Sequence, residues 1–205
     1  MARDAPTGLP MAGQPPTERA DATRNRMKIL RAAAAMVAER GAAELSLDEV
    51  AKAAEVGVAT VYRKYRDRSQ LIFALLDEQE REFQQAFING PPPLGPGAPP
   101  GDRIHAFLHA LVDRMETQVD LLLLAENTSS GRFRSVPYAV HHTHLSILLA
   151  QLIPEADSAY LADALLAPLS ATLVSYQLKE RGLSIDEVRA GLDDLLRLMG
   201  CPLSH

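Results

Sequence analysis

The sequence predicts an all-α protein, and three observations support this prediction. After residue 22, apolar residues recur at the i, i+3, i+4 and i+7 spacing of amphipathic helices. Hydrophobic residues make up 47% of the 205 residues, Ala and Leu dominate them, and aromatic residues account for only 5%. That mixture favours helices over sheets. The alternating pattern of a half-buried strand is not found, and we expect two helical domains.

The first domain follows a short tail. Residues 1–22 contain four prolines and no periodicity, which predicts a disordered tail. Thr23 is a plausible N-cap of a first helix, which Gly41 ends. Ser46 and Glu49 have capping-box spacing, so they should open a short second helix. The predicted domain spans residues 23–67, and residues 68–205 form the second domain.

The third helix carries the most informative pattern. Residues 58–64 make only about two turns, a length that is unstable in isolation. Val61 and Tyr65 are spaced to face inward, which leaves Val58, Thr60, Arg63 and Lys64 facing outward. A fourth helix, capped by residues 66–69, should run to about Asn89. The two short helices and their tight turn predict a helix-turn-helix.

Charge is distributed unevenly along the chain. The net charge is −5, but residues 24–68 contain ten Lys or Arg against six Asp or Glu. From residue 89 onward the balance reverses, with eight basic and thirteen acidic residues. A basic module joined to an acidic one indicates that only the first meets a polyanion.

The outward face of the third helix has the chemistry needed to read DNA. In a helix-turn-helix the second helix enters the major groove, where base contacts give specificity and phosphate contacts give affinity. Arg63 or Lys64 could donate to guanine, and Val58 could pack on a thymine methyl. Thr60 could meet a base or a phosphate, and Tyr62 a phosphate. An ordinary helical corner with a solvated cationic face is the alternative.

Phosphate contacts are also expected elsewhere in the first domain. Arg24, Ser46 and Arg68 lie at or near the predicted starts of three helices. Backbone amides and polar side chains at helix starts suit phosphate oxygens. We therefore predict these three residues as phosphate contacts.

The spacing over four helices resembles the N-terminal domain of the tetracycline-repressor (TetR) family of bacterial transcriptional regulators. The resemblance covers about 65 residues, and it is carried by ILxAA from Ile29, LxxVA from Leu47, AEVGVATVYRKY over 54–65 and RSxL from Arg68. It implies that Val58, Thr60, Tyr62, Arg63 and Lys64 lie on the recognition helix. It also implies a double-stranded DNA operator, a small-molecule effector, a cytoplasmic location and neither a cofactor nor enzymatic activity.

Two departures from the family pattern affect the DNA-binding face. Glu55 occupies a turn position that is usually Gly, so it must either accept a positive φ or shift the turn. Its charge should weaken non-specific DNA binding. Arg63 and Tyr65 replace a frequent His and Phe, which leaves the base preference open.

The remainder of the chain predicts further helices around a Pro- and Gly-rich loop at residues 89–101. We expect helices over residues 104–118, 119–125 and 137–153, and then two long ones over 157–180 and 184–199. Pro168 should kink the first of these two, and Ser184 with Glu187 should form a capping box at the second.

The resemblance implies a homodimer and an effector pocket. The last two helices would form a four-helix bundle with their symmetry mates, although their apolar stripes could simply be monomer core. Two-fold symmetry predicts a near-palindromic operator with half-sites roughly 34–36 Å apart or more. Each expected pocket residue is more often plain core than a ligand contact. A largely hydrophobic effector would suit the expected set, which is Phe87, Phe107, Leu111, Met115, Leu122, Phe133, Tyr138, His141 and Tyr176.

Four histidines support a rival hypothesis, a helical His-based metalloenzyme or hydrolase. His105 and His109 share one helix face, and His141 and His144 share another. Nothing in the sequence brings these helices together, and H-E-x-x-H does not occur, so we predict no metal site.

The remaining features indicate a soluble protein. Cys201 is the only cysteine, so no intramolecular disulfide can form, in keeping with a reducing cytoplasm. No apolar signal core opens the sequence, and no apolar run approaches the ~20 residues of a membrane helix. We expect no membrane partner.

Overall fold

The computed structural model describes residues 17–128 and 132–200, without the side chains of 17–20 and 127–128. These ranges contain helices, 3-10 turns and loops, and no strand. The helices are α1 (Thr17–Arg40), α2 (Leu47–Ala53), α3 (Val58–Lys64), α4 (Arg68–Asn89), α5 (Pro100–Thr128), α6 (Val136–Leu152), α7 (Ser158–Leu166), α8 (Ala171–Lys179) and α9 (Ile185–Leu198). The predicted all-α class is confirmed.

The first helix begins earlier than predicted. It starts at Thr17, so Thr23 lies inside α1 and is not its N-cap. Residues 17–22 of the predicted tail are therefore helical, and residues 1–16 lie outside the described residues, as does Cys201. Gly41 follows α1 with a φ of 83°, as expected for a residue that ends a helix.

The second and fourth helices are capped differently. Ser46 is the N-cap of α2, but its side chain makes no capping hydrogen bond, so the predicted capping box is wrong. Glu49 instead accepts a hydrogen bond from Arg40, with 2.9 Å between Nη1 and Oε2. Asp67 caps α4 by accepting from the Gln70 amide at 2.9 Å.

Helix α4 belongs to two hydrophobic cores. Its first half places Leu71 and Leu75 in a core with α1, α2 and α3. Its second half places Phe83 and Phe87 in a second core with α5, α6, α7 and α9. One 22-residue helix thus packs in both cores and connects them.

Helix α5 is continuous, whereas we predicted separate helices over 104–118 and 119–125. The apolar run does not start a new helix because its side chains continue the buried face of α5. Val119 packs with Ala171 and Val174 of α8. Leu121 lies only 1% exposed against the first core.

The predicted helix over 157–180 is divided into α7 and α8. Pro168 lies in a 3-10 turn, Ala167–Leu169, and the Ser170 hydroxyl accepts from the Leu173 amide at 3.2 Å to cap α8. The break is complete because Pro lacks the amide needed to continue the helix. The capping box of Ser184 and Glu187 is confirmed.

One described stretch is long and apolar enough, by length and composition alone, to cross a membrane. It is Ser158–Lys179, although the sequence analysis expected no apolar run of that length. Core helices of soluble proteins satisfy the same criteria. Here the stretch is broken by the turn at Pro168.

Candidate functional site

The first candidate site is the exposed face of α3. The helix is held by Val61, which is fully buried, and by Tyr65, which is 4% exposed; both lie in the core with Val50 and Ala51 of α2. These contacts stabilise a seven-residue helix that would not persist alone. The α2–α3 pair therefore presents the opposite face of α3 on a rigid support.

That opposite face combines apolar, hydroxyl and cationic groups. Val58 and Tyr62 are each nearly half exposed, and Arg63 and Lys64 are exposed. Thr60 is half-buried beside the turn. Arg63 and Tyr62 make no hydrogen bond or ion pair with any described residue, so both side chains are available to a ligand.

The turn that precedes α3 has an unusual backbone. Glu55 has a φ of 55°, which is the left-handed region that glycine occupies most readily. Of the two possibilities raised by the sequence, the chain therefore accepts the positive φ. The Glu55 side chain is exposed in the turn between α2 and α3.

The three predicted phosphate contacts occupy different positions. Arg24 lies within α1, not at its start, and is 3.3 Å from Asp21. Ser46 is half-buried at the start of α2, with its hydroxyl free of a capping bond. Arg68 is the first residue of α4 and donates to the Ala43 carbonyl.

Lys64 of α3 lies close to a cation of α1. Partial burial and the nearby Arg26 guanidinium lower the pKa of Lys64. Arg26 itself pairs with Glu78 of α4. The cations that α3 exposes to an anionic ligand are therefore Arg63 and, with a lowered pKa, Lys64.

The second candidate site is a partly open cavity of about 340 Å³. Helices α4, α5 and α6 and the segment around the end of α7 line it. Most of the lining is apolar, with charged groups at a few points. The lining residues are Phe73, Leu76, Asp77, Glu80, Leu111, Arg114, Met115, Leu122, Ala125, Glu126, Arg132, Ser135, Pro137, Tyr138, His141, Leu166 and Leu169.

A buried ionic network forms one wall of this cavity. Glu80 of α4 accepts from Arg114 of α5 at 2.8 Å, and its other oxygen lies 2.8 Å from Nε2 of His141 of α6. Burial alone would raise the pKa of the Glu80 carboxyl. The hydrogen bond and charge of His141, together with Arg114, instead lower that pKa to about 2. The carboxylate therefore ties three cavity helices together.

A second polar group lies at the opposite edge. Glu126 accepts from the amides of Ala171 at 3.0 Å and Thr172 at 3.2 Å, so it satisfies the start of α8. Arg132 donates to the Leu166 carbonyl at 2.7 Å. Burial and a hydrogen bond to Asp163 raise the pKa of Tyr138 to about 12. The phenol consequently stays protonated and can donate.

The predicted pocket residues are distributed over three environments. Leu111, Met115, Leu122, Tyr138 and His141 line the cavity. Phe87 and Phe107 do not, because they pack edge-to-face inside the second core, with ring centroids 5.1 Å apart. Phe133 is 70% exposed, and Tyr176 is 45% exposed on α8, so neither lines it.

Sequence reasoning missed the charged cavity residues Glu80, Arg114 and Arg132. One signal was available for Glu80, which lies between Leu76 and Phe83 on the apolar stripe of α4. A charged residue in a buried stripe is expected to have a partner. His141 was expected in the pocket, but no local signal paired Glu80 with Arg114 or His141, which lie 34 and 61 residues further along the chain.

Comparison with known proteins agrees with this geometry. Residues 29–75 match the family described as bacterial regulatory proteins, tetR family. An HTH-type transcriptional regulator of Staphylococcus aureus strain USA300 is 24% identical over 83% of this chain and 91% of its own length.

Solved structures share the fold over both halves of the chain. A TetR/AcrR-family transcriptional regulator from Thermobifida fusca has a TM-score of 0.62 and 25% identity, covering 83% of this chain and 95% of the other. A structure from Saccharomonospora viridis, described as a putative transcriptional regulator in complex with choline, has a TM-score of 0.59 and 16% identity. It covers 85% of this chain and 96% of the other.

Proposed function

We propose that this chain, which matches the TetR family of bacterial transcriptional regulators over residues 29–75, is a homodimeric repressor released from a palindromic operator by a small, largely hydrophobic effector. Its general function is that of a DNA-binding regulator that responds to a ligand. The observation that carries the proposal is the α3 face: Val61 anchors it, while Arg63 and Tyr62 are exposed.

We assign the DNA contacts by chemistry and position. Arg63 and Lys64 would donate to base edges, and Val58 would contact a thymine methyl. Thr60 and Tyr62 would contact a base or phosphate at the groove edge. Arg24, Ser46 and Arg68 would contact phosphates, which requires Arg68 to exchange its bond to the Ala43 carbonyl for a phosphate oxygen.

We propose that dimerisation uses α8 and α9. Each helix buries one face within its own subunit, through Val174 on α8 and Leu192 on α9. Each also leaves apolar side chains exposed: Leu173 is 37%, Tyr176 is 45% and Leu198 is 86% exposed. A second copy would cover these side chains, and two-fold symmetry would then present two α3 helices to a palindrome.

We propose a domain boundary at residue 67, with the effector and dimer functions in 68–205. Helix α4 gives a physical route between the functions, because its start packs in the first core and its middle supplies Glu80 to the cavity. An effector that favours one position of α4 would change the spacing of the two recognition helices. The mechanism is a population shift between a DNA-competent and a DNA-incompetent dimer.

DNA binding by the full chain tests the first part of this proposal. The DNA upstream of its own gene should be bound in a gel shift, and random DNA of equal length should be bound much more weakly. Light scattering of the same sample should give about twice the chain mass of 22.3 kDa. A monomer, or equal binding of both DNAs, would contradict the assignment.

Effector binding is tested at the cavity. Apolar and aromatic compounds that raise the melting temperature of the wild-type protein should also release DNA. Leu122→Trp fills the cavity and should abolish both effects, whereas Ile147→Trp, on an exposed position outside the lining, should retain them. Compounds that act equally on both variants bind elsewhere.

The rival metalloenzyme or hydrolase is not favoured by the family assignment, and we propose no catalytic activity. A cytoplasmic location accords with a function on DNA. Turnover assays with ester and peptide substrates would reveal an activity that this proposal does not predict.

A further inference from the structure

A cluster outside both candidate sites joins α5 to α9. His105 and His109 lie one turn apart on α5, and their Nε2 atoms are 3.1 and 2.6 Å from the same Oδ1 of Asp193 on α9. The sequence analysis predicted no metal site because nothing placed a further ligand near this histidine pair. The packing of α9 on α5 supplies that ligand, 88 residues after His105.

We propose that His105, His109 and Asp193 bind a divalent transition-metal ion of the Zn²⁺ class. Two imidazoles and one carboxylate are a donor set that such ions accept, and their three donor atoms all lie within 4.8 Å of one another. This metal site is distinct from the effector cavity, whose lining contains none of the three residues.

The separations fit a shared ion. With metal–ligand distances of about 2.0–2.1 Å, neighbouring ligands of a tetrahedral or octahedral ion lie about 3 Å apart. The separation between the carboxylate oxygen and Nε2 of His105, 3.1 Å, is in this range. The separation to Nε2 of His109, 2.6 Å, is shorter and would have to lengthen when the ion replaces the hydrogen bond. The rings themselves lie side by side, with centroids 3.9 Å apart. Small rotations of the three side chains would therefore suffice to accommodate an ion.

Burial and charge also suit a cation. The side chains of His105, His109 and Asp193 are 33%, 21% and 21% exposed, so solvent can complete the coordination. Burial would raise the pKa of the Asp193 carboxyl, but the hydrogen bond from His109 and the charges of both histidines lower it overall. Asp193 is thus an anionic ligand at neutral pH.

A bound ion would act on helix packing. It would connect the middle of α5, which lines the effector cavity, to α9, which we propose as a dimerisation helix. Because the ion would bind the folded arrangement and not separated helices, it should stabilise the native chain. A hydrogen-bonded His–Asp cluster that binds only protons is the competing explanation.

Metal titration of the tag-free full chain, after removal of metals with a chelator, distinguishes the two explanations. Co²⁺ should bind at one ion per chain and produce visible absorption bands, which Zn²⁺ should then displace. Zn²⁺ should also raise the melting temperature. Asp193→Asn and His109→Gln should each weaken Zn²⁺ binding by about tenfold or more in calorimetry.

A matched control uses another histidine beside a carboxylate. His142 lies 3.5 Å from Asp163 on a different part of the fold, and His142→Gln should bind Zn²⁺ as the wild type does. His105→Gln, at the most exposed ligand, provides a second test if Asp193→Asn does not fold. The proposal is overturned if the wild type shows no saturable binding, or if folded His105→Gln and His109→Gln bind as tightly as His142→Gln.

Discussion

The α3 face and the effector cavity place their charged groups in opposite ways. On α3, Arg63 projects into solvent with no partner among the described residues, whereas in the cavity Glu80 is 8% exposed and engages both Arg114 and His141. A solvated cation costs little to maintain and is free to bind a ligand. A buried carboxylate must be paired, so it organises the helices around it. Changes on α3 should therefore affect binding, and changes at Glu80 should affect folding.

The largest expected effect is the loss of the buried carboxylate. Glu80→Ala would leave Arg114 and His141 without their anionic partner and should lower the free energy of unfolding by about 3–5 kcal/mol. Urea denaturation at neutral pH measures this change. Glu82→Ala, at an exposed position on the same helix, should change it by less than about 0.5 kcal/mol. Equal stability of the two variants would refute the organising role of Glu80.

The next largest effect is a loss of DNA affinity that leaves the free energy of unfolding unchanged. Arg63→Ala should lower operator affinity by about 10- to 100-fold and relax sequence preference, since a base contact is lost. Arg68→Ala should weaken binding to operator and random DNA alike, and it should reduce the slope of log affinity against log salt by about one. Fluorescence anisotropy over a salt series measures both changes.

Neither substitution should alter unfolding by more than about 0.5 kcal/mol, because both side chains are exposed. An equal loss on operator and random DNA for Arg63→Ala would contradict its role as a base reader. That result would make α3 a phosphate-binding surface, like the start of α4.

The same contrast explains what the sequence could predict. The facing of Val61 and Tyr65 follows from spacing within one short helix, so local periodicity was sufficient. The pairing of Glu80 with His141 depends on how α6 packs against α4, which no local pattern records. Phe107 illustrates the limit: its type and position suit either core or pocket, and only the packing places it in the core.

A smaller effect is a pH dependence located at His144. This ring packs against Phe87 at 4.4 Å, and its buried Nε2 has no hydrogen-bond partner in the described structure. Burial, followed by the charges of Arg103 and His141, lowers the pKa of His144 to about 4, below the ordinary value of 6.5. Between these values the unfolded chain binds a proton that the native chain does not, so stability should fall as the pH decreases from 6.5 to 4.

His144→Leu should remove this part of the acid sensitivity. The expected change is roughly 1–2 kcal/mol across that interval, reduced from the full shift because the ring is partly exposed. Denaturant midpoints at several pH values measure it. Losses below pH 4.5 should persist, because the lowered pKa of Glu80 gives stability that disappears as the pH falls towards 2. If His144→Leu loses as much stability between pH 6.5 and 4 as the wild type does, His144 is not the source of this acid sensitivity.

The smallest expected effect concerns Glu55, whose positive φ is unfavourable for a residue other than glycine. Glu55 has a left-handed backbone and a negative charge near the DNA face, so two substitutions can separate these properties. Glu55→Gly should relieve the backbone strain and stabilise the chain by up to about 1 kcal/mol, offset in part by the greater freedom of glycine in the unfolded state. Glu55→Gln keeps the strain and removes only the charge. Both should raise affinity for random DNA several-fold at low salt, and only Glu55→Gly should raise the melting temperature. Glu55→Gln could instead stabilise the chain as much as Glu55→Gly does. The native chain would then be destabilised at Glu55 by repulsion from neighbouring carboxylates, and not by the backbone conformation.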